Sequence, residues 1–326
     1  MKPSAEPMKP SSETQVDRLR CTDQSVSAGA VSAGAVPSGC PTPLSCMDVV
    51  EAFLEQSVPW SLECGDHLVS GRTWGSGPAV YFLNGAVGTH RLFAPVIWLL
   101  RKNVRCVVYD YPPGKLPRGS LTANRLAEDL LAVADAAGDE TFACYAASFG
   151  GLVTMEAMRR APQRVTRAII QNGFAHRRLT VFERLLIRMG RYWPGSLARV
   201  PGYRSVLRQN HARWFPRFDP CRWRLFAEDC GHVAVGELAA RAAVIRDTDL
   251  RSQLAEIRQP VLLIGTEGEG RVNRLCREEL AESLPNATVE MLADSGQLPC
   301  LTQPHRMAKL ISSCLLAEHD PETPPL

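Results

Sequence analysis

The chain has 326 residues, 45 % of them hydrophobic, which is enough for a sizeable core in one large domain or two small ones. Its net charge of +3 excludes little, and no apolar run approaches the roughly 18 residues that a membrane span needs. Eleven scattered cysteines contain no C-x-x-C pair, which argues against a zinc site or a secreted disulfide framework and for reduced thiols in a cytoplasmic protein without metal or cofactor.

Residues 1–45 are rich in Pro, Ser, Gly and Ala, and a short repeat runs from Ser27 to Val36. This composition reads as a disordered low-complexity tail, and the polar first twenty residues do not read as a secretory signal. From residue 46 strands and helices alternate. Met47 to Gln56 has helical spacing; Trp60 to Cys64 and Val69 to Trp74 alternate as strands about Gly65-Asp66. Ala79 to Leu83 is an apolar strand ending at Asn84-Gly85. Leu92 to Leu100 reads as helix, Val104 to Tyr109 as strand and Leu121 to Ala137 as helix. Thr141 to Ala147 is a strand, Leu152 to Arg160 a helix and Thr166 to Gln171 a strand. After a gap, helices at 236–245, 272–284 and 306–315 interleave with strands at 261–265 and 288–292. Strands separated by helices imply an α/β fold, with a mostly parallel central sheet covered on both faces. The stretch 175–235, with Pro194, Pro201, Pro216 and Pro220, interrupts the order and reads as a cap over the carboxyl ends of the strands, where open α/β sheets place ligands.

Ala146-Ala147-Ser148-Phe149-Gly150-Gly151, between a strand and a helix, has the shape of a nucleophile elbow. The turn needs small neighbours, and the usual leading glycine is here Ala146. Phe149 N–H is one expected oxyanion donor; Ala86, in the loop after the Ala79–Leu83 strand, is the other. A serine hydroxyl needs a base, and the base needs an orienting acid. The base belongs in the loop after the last strand, Asp294-Ser295-Gly296-Gln297-Leu298-Pro299, where Gln297 stands in the histidine's place. Glutamine hydrogen-bonds but takes no proton near neutral pH. The acid belongs near Gly268, where Glu269 is one position late and Glu267 one early. Of the histidines at 67, 90, 176, 211, 232, 305 and 319, His90 lies near the oxyanion loop. His176, His211 and His232 lie in or beside the cap and are the candidates for a displaced base.

These residues carry a resemblance. From about 46 to 316 the chain resembles the α/β-hydrolase superfamily, and within it looks most like the maspardin-type branch. The likeness rests on Phe82 to Thr89, the elbow, Gly236 to Arg241, Leu284 to Ala287 and the degenerate loop Ser295 to Pro299. It implies a kept elbow serine without its histidine and a binding or adaptor role. A looser likeness, through Asn84-Gly85-Ala86 and Ser148 to Gly151, is to acyl-transferring enzymes of rhamnolipid assembly, which keep their acid and histidine.

Residues 176–224 hold twelve arginines, no lysine and two acids, Glu183 and Asp219, a local excess of ten positive charges. Arg184, Arg188 and Arg191 recur at helical spacing and leave Leu185, Leu186 and Met189 for another face, the pattern of a basic amphipathic helix. Such a surface suits an anionic or acyl ligand, an acidic protein segment or peripheral contact with lipid headgroups. No nucleic-acid-binding motif accompanies the charge. Two readings stand: a binding or adaptor protein on a degenerate triad, and an active serine hydrolase or acyltransferase on an ester or thioester, with its base displaced to the cap.

Overall fold

The computed structural model describes residues 45–112 and 121–316, so the tail read at 1–45 lies, save its last residue, outside the described part. The chain opens with α1 (Cys46–Gln56), started by a reciprocal cap in which Ser45 Oγ accepts from Asp48 N–H and the Asp48 carboxylate accepts from Ser45 N–H. Then come β1 (Val58–Cys64), β2 (His67–Trp74), β3 (Ala79–Leu83), α2 (Ala94–Leu100), β4 (Arg105–Asp110) and α3 (Ala123–Ala136). The centre is β5 (Phe142–Ala147), α4 (Phe149–Arg160) and β6 (Val165–Gln171). Three helices follow, α5 (Val181–Gly190), α6 (Tyr203–His211) and α7 (Pro220–His232). The chain continues through α8 (Val235–Asp247), β7 (Val261–Thr266), α9 (Gly270–Ser283), β8 (Ala287–Leu292), α10 (Pro299–Thr302) and α11 (Pro304–Leu316). No helix among the described residues is long and apolar enough to cross a membrane.

The eight strands form one sheet in the order β1-β2-β4-β3-β5-β6-β7-β8. β1 pairs with β2 and β2 with β4 antiparallel; every later pairing is parallel. From β3 the chain steps outward to β4 and then crosses back to β5 on β3's other side. The strand order therefore reverses at β3, and a crevice opens at the carboxyl ends of β3 and β5.

Both faces of the central strands are buried, which is why they read as unbroken apolar runs. On one face Tyr81 and Leu83 pack with Leu126, Leu130, Leu152 and Met155 of α3 and α4. On the other, Phe82 and Tyr145 meet Phe93, with ring centroids 5.5 to 5.7 Å apart, and the layer continues into α2 and α11. Edge strand β8 is different: only Leu292 of it is buried, so its pattern is weaker than the central ones.

The stretch between β6 and α8 is largely helical. Pro220 sits at the first position of α7, where a proline is tolerated, rather than in a loop. Phe215 stacks on Phe226 at 5.5 Å and meets Trp223 edge-on at 5.3 Å, forming the floor of this region. Helix α7 is tied to the loop after β3 by Asp229, 1 % exposed. Its carboxylate accepts from Thr89 N–H at 2.6 Å and from Thr89 Oγ1 at 2.8 Å.

Burial raises the Asp229 carboxyl pKa above its ordinary value although the Thr89 bonds pull it down. The folded chain thus holds that proton more tightly than the unfolded one. Stability is lost as pH climbs from about 4, where the unfolded carboxyl titrates, through the raised folded value. Asp229→Asn removes this titration. In urea denaturation the variant's midpoint, measured relative to wild type, is expected to move in the variant's favour between about pH 4 and pH 7. A difference independent of pH would contradict the assignment.

Candidate functional site

Ser148 lies between β5 and α4 with φ 49° and ψ −107°, a region that side chains other than glycine rarely occupy. Its N–H donates to Gln171 O of β6 at 2.7 Å, and its carbonyl accepts from Gly151 N–H at 2.9 Å. The strain is held because α4 starts hard against the sheet. A Cβ on Gly150 would lie 2.5 Å from Leu83 O and 2.8 Å from Asn84 O, and one on Gly151 2.8 Å from Ile170 Cγ2. Only glycines fit there, and the turn they permit lifts Ser148 off the sheet, half-buried at the carboxyl end of β5.

Neither Phe149 N–H nor Ala86 N–H has an acceptor among the described residues. Gly85 lies beside the serine, its position for a Cβ 3.8 Å from Ser148 Cβ. The Ala86 carbonyl is fixed by Arg241 Nη1 of α8, which donates to it at 3.0 Å. Arg241 is 4 % exposed, stands 5.5 Å from the Tyr111 ring and 3.6 Å from Glu237, and leaves its Nε without a partner. Burial lowers its guanidinium pKa, the mark of a charge held out of water. A loop so anchored keeps its amides oriented before any ligand arrives.

Gln297 reaches the same end of the sheet. Its carbonyl accepts from Gln171 Nε2 at 2.6 Å and from Asn172 Nδ2 at 3.1 Å. Gln171 therefore holds both the serine's backbone and the loop where the base belongs. The Gln297 side chain makes only a long bond, Nε2 donating to Glu269 O at 3.4 Å. The Glu269 carboxylate, 4 % exposed, is occupied by Arg277, whose Nη2 donates to it at 2.9 Å. Glu267 is turned away and accepts from Asp294 N–H at 3.0 Å. The loops after β7 and β8 are further covered by Trp214 from the segment after α6. A Cβ on Gly268 or Gly296 would come within 2.5 Å of its indole.

Among the described residues no histidine hydrogen-bonds to Ser148. His67 Nε2 pairs with Asp129 at 3.0 Å, deep between β2 and α3. His176 faces Thr248 O at 3.3 Å and Asp249 at 3.8 Å. His211 lies edge-on to Phe226 at 5.3 Å, where burial lowers its pKa. His232 lines a recess of about 410 Å³ with Tyr203 and Trp223, and His305 is exposed on α11. None of the three histidines proposed from the cap region hydrogen-bonds to Ser148; His176 and His211 face other partners, and His232 lines that recess. His319 lies outside the described residues. His90, in the loop after β3, is likewise an imidazole backed by a carboxylate: its Nδ1 is 2.8 Å from Asp110 Oδ2. This pair opens on a recess of about 490 Å³ beside Trp60 and Arg72, which Ser148 does not line.

The arginines singled out on α5, Arg184, Arg188 and Arg191, are exposed. The apolar residues between them do not form a buried underside: Leu185 is 51 % exposed, Leu186 48 % and Met189 54 %. The helix rests instead on Ile187 and Gly190, where a Cβ on Gly190 would be 3.3 Å from Ala239 of α8. Arg241, Asp229, Arg277 and Trp214 were not legible as site residues. Each acts through a partner more than seven residues away in sequence, and no local spacing announces such a contact.

Residues 80–310 match the model of the alpha/beta hydrolase family, Abhydrolase_6. A protein of Agrobacterium fabrum named as the carbamate hydrolase RutD is 24 % identical over 248 residues, spanning 72 % of this chain and 92 % of its own. A pimeloyl-[acyl-carrier protein] methyl ester esterase of Aromatoleum aromaticum is 30 % identical over 182 residues, 50 % of this chain and 70 % of its own. Among solved structures, a hydrolase from Pseudomonas aeruginosa superposes with a TM-score of 0.67 at 24 % identity, covering 81 % of this chain and 99 % of that one. The enol-lactonase of Burkholderia xenovorans does so with 0.65 at 20 %, covering 78 % and 99 %. These relatives carry hydrolase and esterase names and lend no support to the narrower maspardin-type likeness. With the family model spanning the sheet from β3 through α11, the chain belongs to the alpha/beta hydrolase family.

Proposed function

We propose that the site binds an ester or thioester with its carbonyl oxygen toward Phe149 N–H and Ala86 N–H, and that Ser148 is a retained but weakly activated nucleophile. The observation that carries this reading is Gln297 at the base position, beside a carboxylate, Glu269, already neutralised by Arg277. A strained serine with two donor amides available to an oxyanion still lowers the barrier to acyl transfer. Without a proton acceptor it keeps only the part of the rate that oxyanion binding supplies, orders of magnitude below a complete triad. The relatives' names, an ester and a carbamate hydrolase, support acyl chemistry as the class. A purely binding or adaptor role of the maspardin kind is the limit in which that residual rate vanishes.

Hydrolysis of 4-nitrophenyl butyrate by wild type, Ser148→Ala and Gln297→His tests it. The expected outcome is slow turnover that Ser148→Ala removes and Gln297→His raises at least about tenfold. No turnover in wild type and no gain in Gln297→His would leave ligand binding alone and contradict a nucleophilic role.

A second reading, a fully active hydrolase, is favoured by one observation, the carboxylate-backed His90 at the same end of the sheet. It requires His90 to reach Ser148 in a ligand-bound form. In that case His90→Ala lowers turnover by about a hundredfold or more, as the loss of a general base does. On the first reading His90→Ala leaves the slow rate within about twofold, and the same assay separates the two.

A further inference from the structure

Helix α5 is built with more apolar surface than its packing uses. Its start is fixed by a reciprocal cap, Thr180 Oγ1 accepting from Glu183 N–H and the Glu183 carboxylate accepting from Thr180 N–H. Only Ile187 and Gly190 are buried, against α8. Val181 and Phe182 are 84 % and 67 % exposed, and Leu185, Leu186 and Met189 are about half exposed. At about 100° per residue these five fall on one continuous face spanning roughly 140° of the helix. A contiguous apolar face of this kind, left open in a folded chain, marks an interaction surface.

The flank of that face is cationic. Arg184, Arg188 and Arg191 lie together along one border, between the apolar face and the buried line, and none of their side chains makes an ion pair or hydrogen bond with a described residue. Tyr192 and Trp193, exposed just beyond the helix, are the residues whose rings settle at the level of lipid headgroups. The surrounding stretch 176–224 has twelve arginines against two acids. A second copy of the chain is a poor match for such a face, because a two-fold contact would set these arginines against their own equivalents. An acidic peptide would meet the arginines and leave the apolar residues wet.

We infer that α5 is a peripheral docking element for an anionic lipid bilayer. It lies in the interface plane, with Phe182, Leu186 and their neighbours entering the acyl boundary and the three arginines at the phosphates. The arginine stems extend along the helix and carry their charge up to the headgroups, so one element supplies both the apolar and the electrostatic attraction.

Co-sedimentation of the full chain with phosphatidylcholine vesicles, with and without phosphatidylglycerol, tests this. Anionic vesicles are expected to retain at least about tenfold more protein than neutral ones. Phe182→Asp with Leu186→Asp should lower binding to anionic vesicles by a similar factor, and Arg184→Gln with Arg188→Gln and Arg191→Gln should remove the preference for anionic lipid. Leu275→Asp, on the exposed part of α9, should change nothing, and thermal unfolding would confirm that each variant is folded. Several results would overturn the inference: no binding to anionic vesicles, binding indifferent to lipid charge, or equal losses in the α5 and α9 variants. A dimer that Phe182→Asp dissociates, with no vesicle binding, would also overturn it and assign the face to a second copy. Ester turnover is independent of this readout, so the docking inference and the reading of Ser148 fail separately.

Discussion

The backbone of Ser148 is the constraint around which the site is arranged. A positive φ at a residue with a Cβ costs free energy of order 1–3 kcal/mol and persists only where the surroundings enforce it. Here they do so from three sides. Gly150 lets α4 touch the carbonyls at the end of β3, Gly151 lets it touch Ile170, and the Gln171 carbonyl takes the serine's N–H. The unoccupied Phe149 amide and the half-buried serine follow from that one turn. Gln171 extends the arrangement by also donating to Gln297 O, so the loop of the missing base is still held in position.

On the proposed reading, what surrounds the turn favours binding over proton transfer. Where proton transfer would need an imidazole there is an amide. Where it would need a free carboxylate there is a buried ion pair, Glu269 with Arg277. The indole of Trp214 rests on Gly268 and Gly296, covering the two loops that would present acid and base. At the same time the oxyanion loop is more firmly anchored than hydroxyl chemistry alone requires, through Arg241 on Ala86 O and Asp229 on Thr89. The proposal that Ser148 is a weakly activated nucleophile rests on this contrast between an anchored loop and committed acid and base positions. Family membership does not decide between binding and turnover, because the fold carries both outcomes.

Much of the fold was legible because its signals are local. β3 and β5 are short apolar runs bounded by turn residues, and burial on both faces makes such runs unambiguous in an alternating chain. Ala146 to Gly151 showed the elbow because the requirement for small residues is confined to six positions. Ser148 and Gln297 stand out in the sequence for the same reason: each belongs to a short motif at a fixed place after a strand, and their roles stay part of the proposal. The orientation of α5 could not be read. The sequence showed an amphipathic helix, but which of its faces would meet α8 depended on Gly190 finding Ala239, a contact across some fifty residues. Arg277 and Trp214 were hidden likewise, since an arginine in a helix and a tryptophan in the cap segment carry no mark of the loop they will meet.

The central claim is that Ser148 is geometrically prepared but has no group to accept its proton. The most direct test is the rate of phosphonylation of Ser148 by a fluorophosphonate as a function of pH. Without a base the rate is slow and rises in proportion to hydroxide through neutral pH, with no inflection near the imidazole pKa of about 6.5. A fast reaction that levels off above such an inflection, and loses it when one histidine is replaced by alanine, would show that an imidazole serves the serine and would contradict the account.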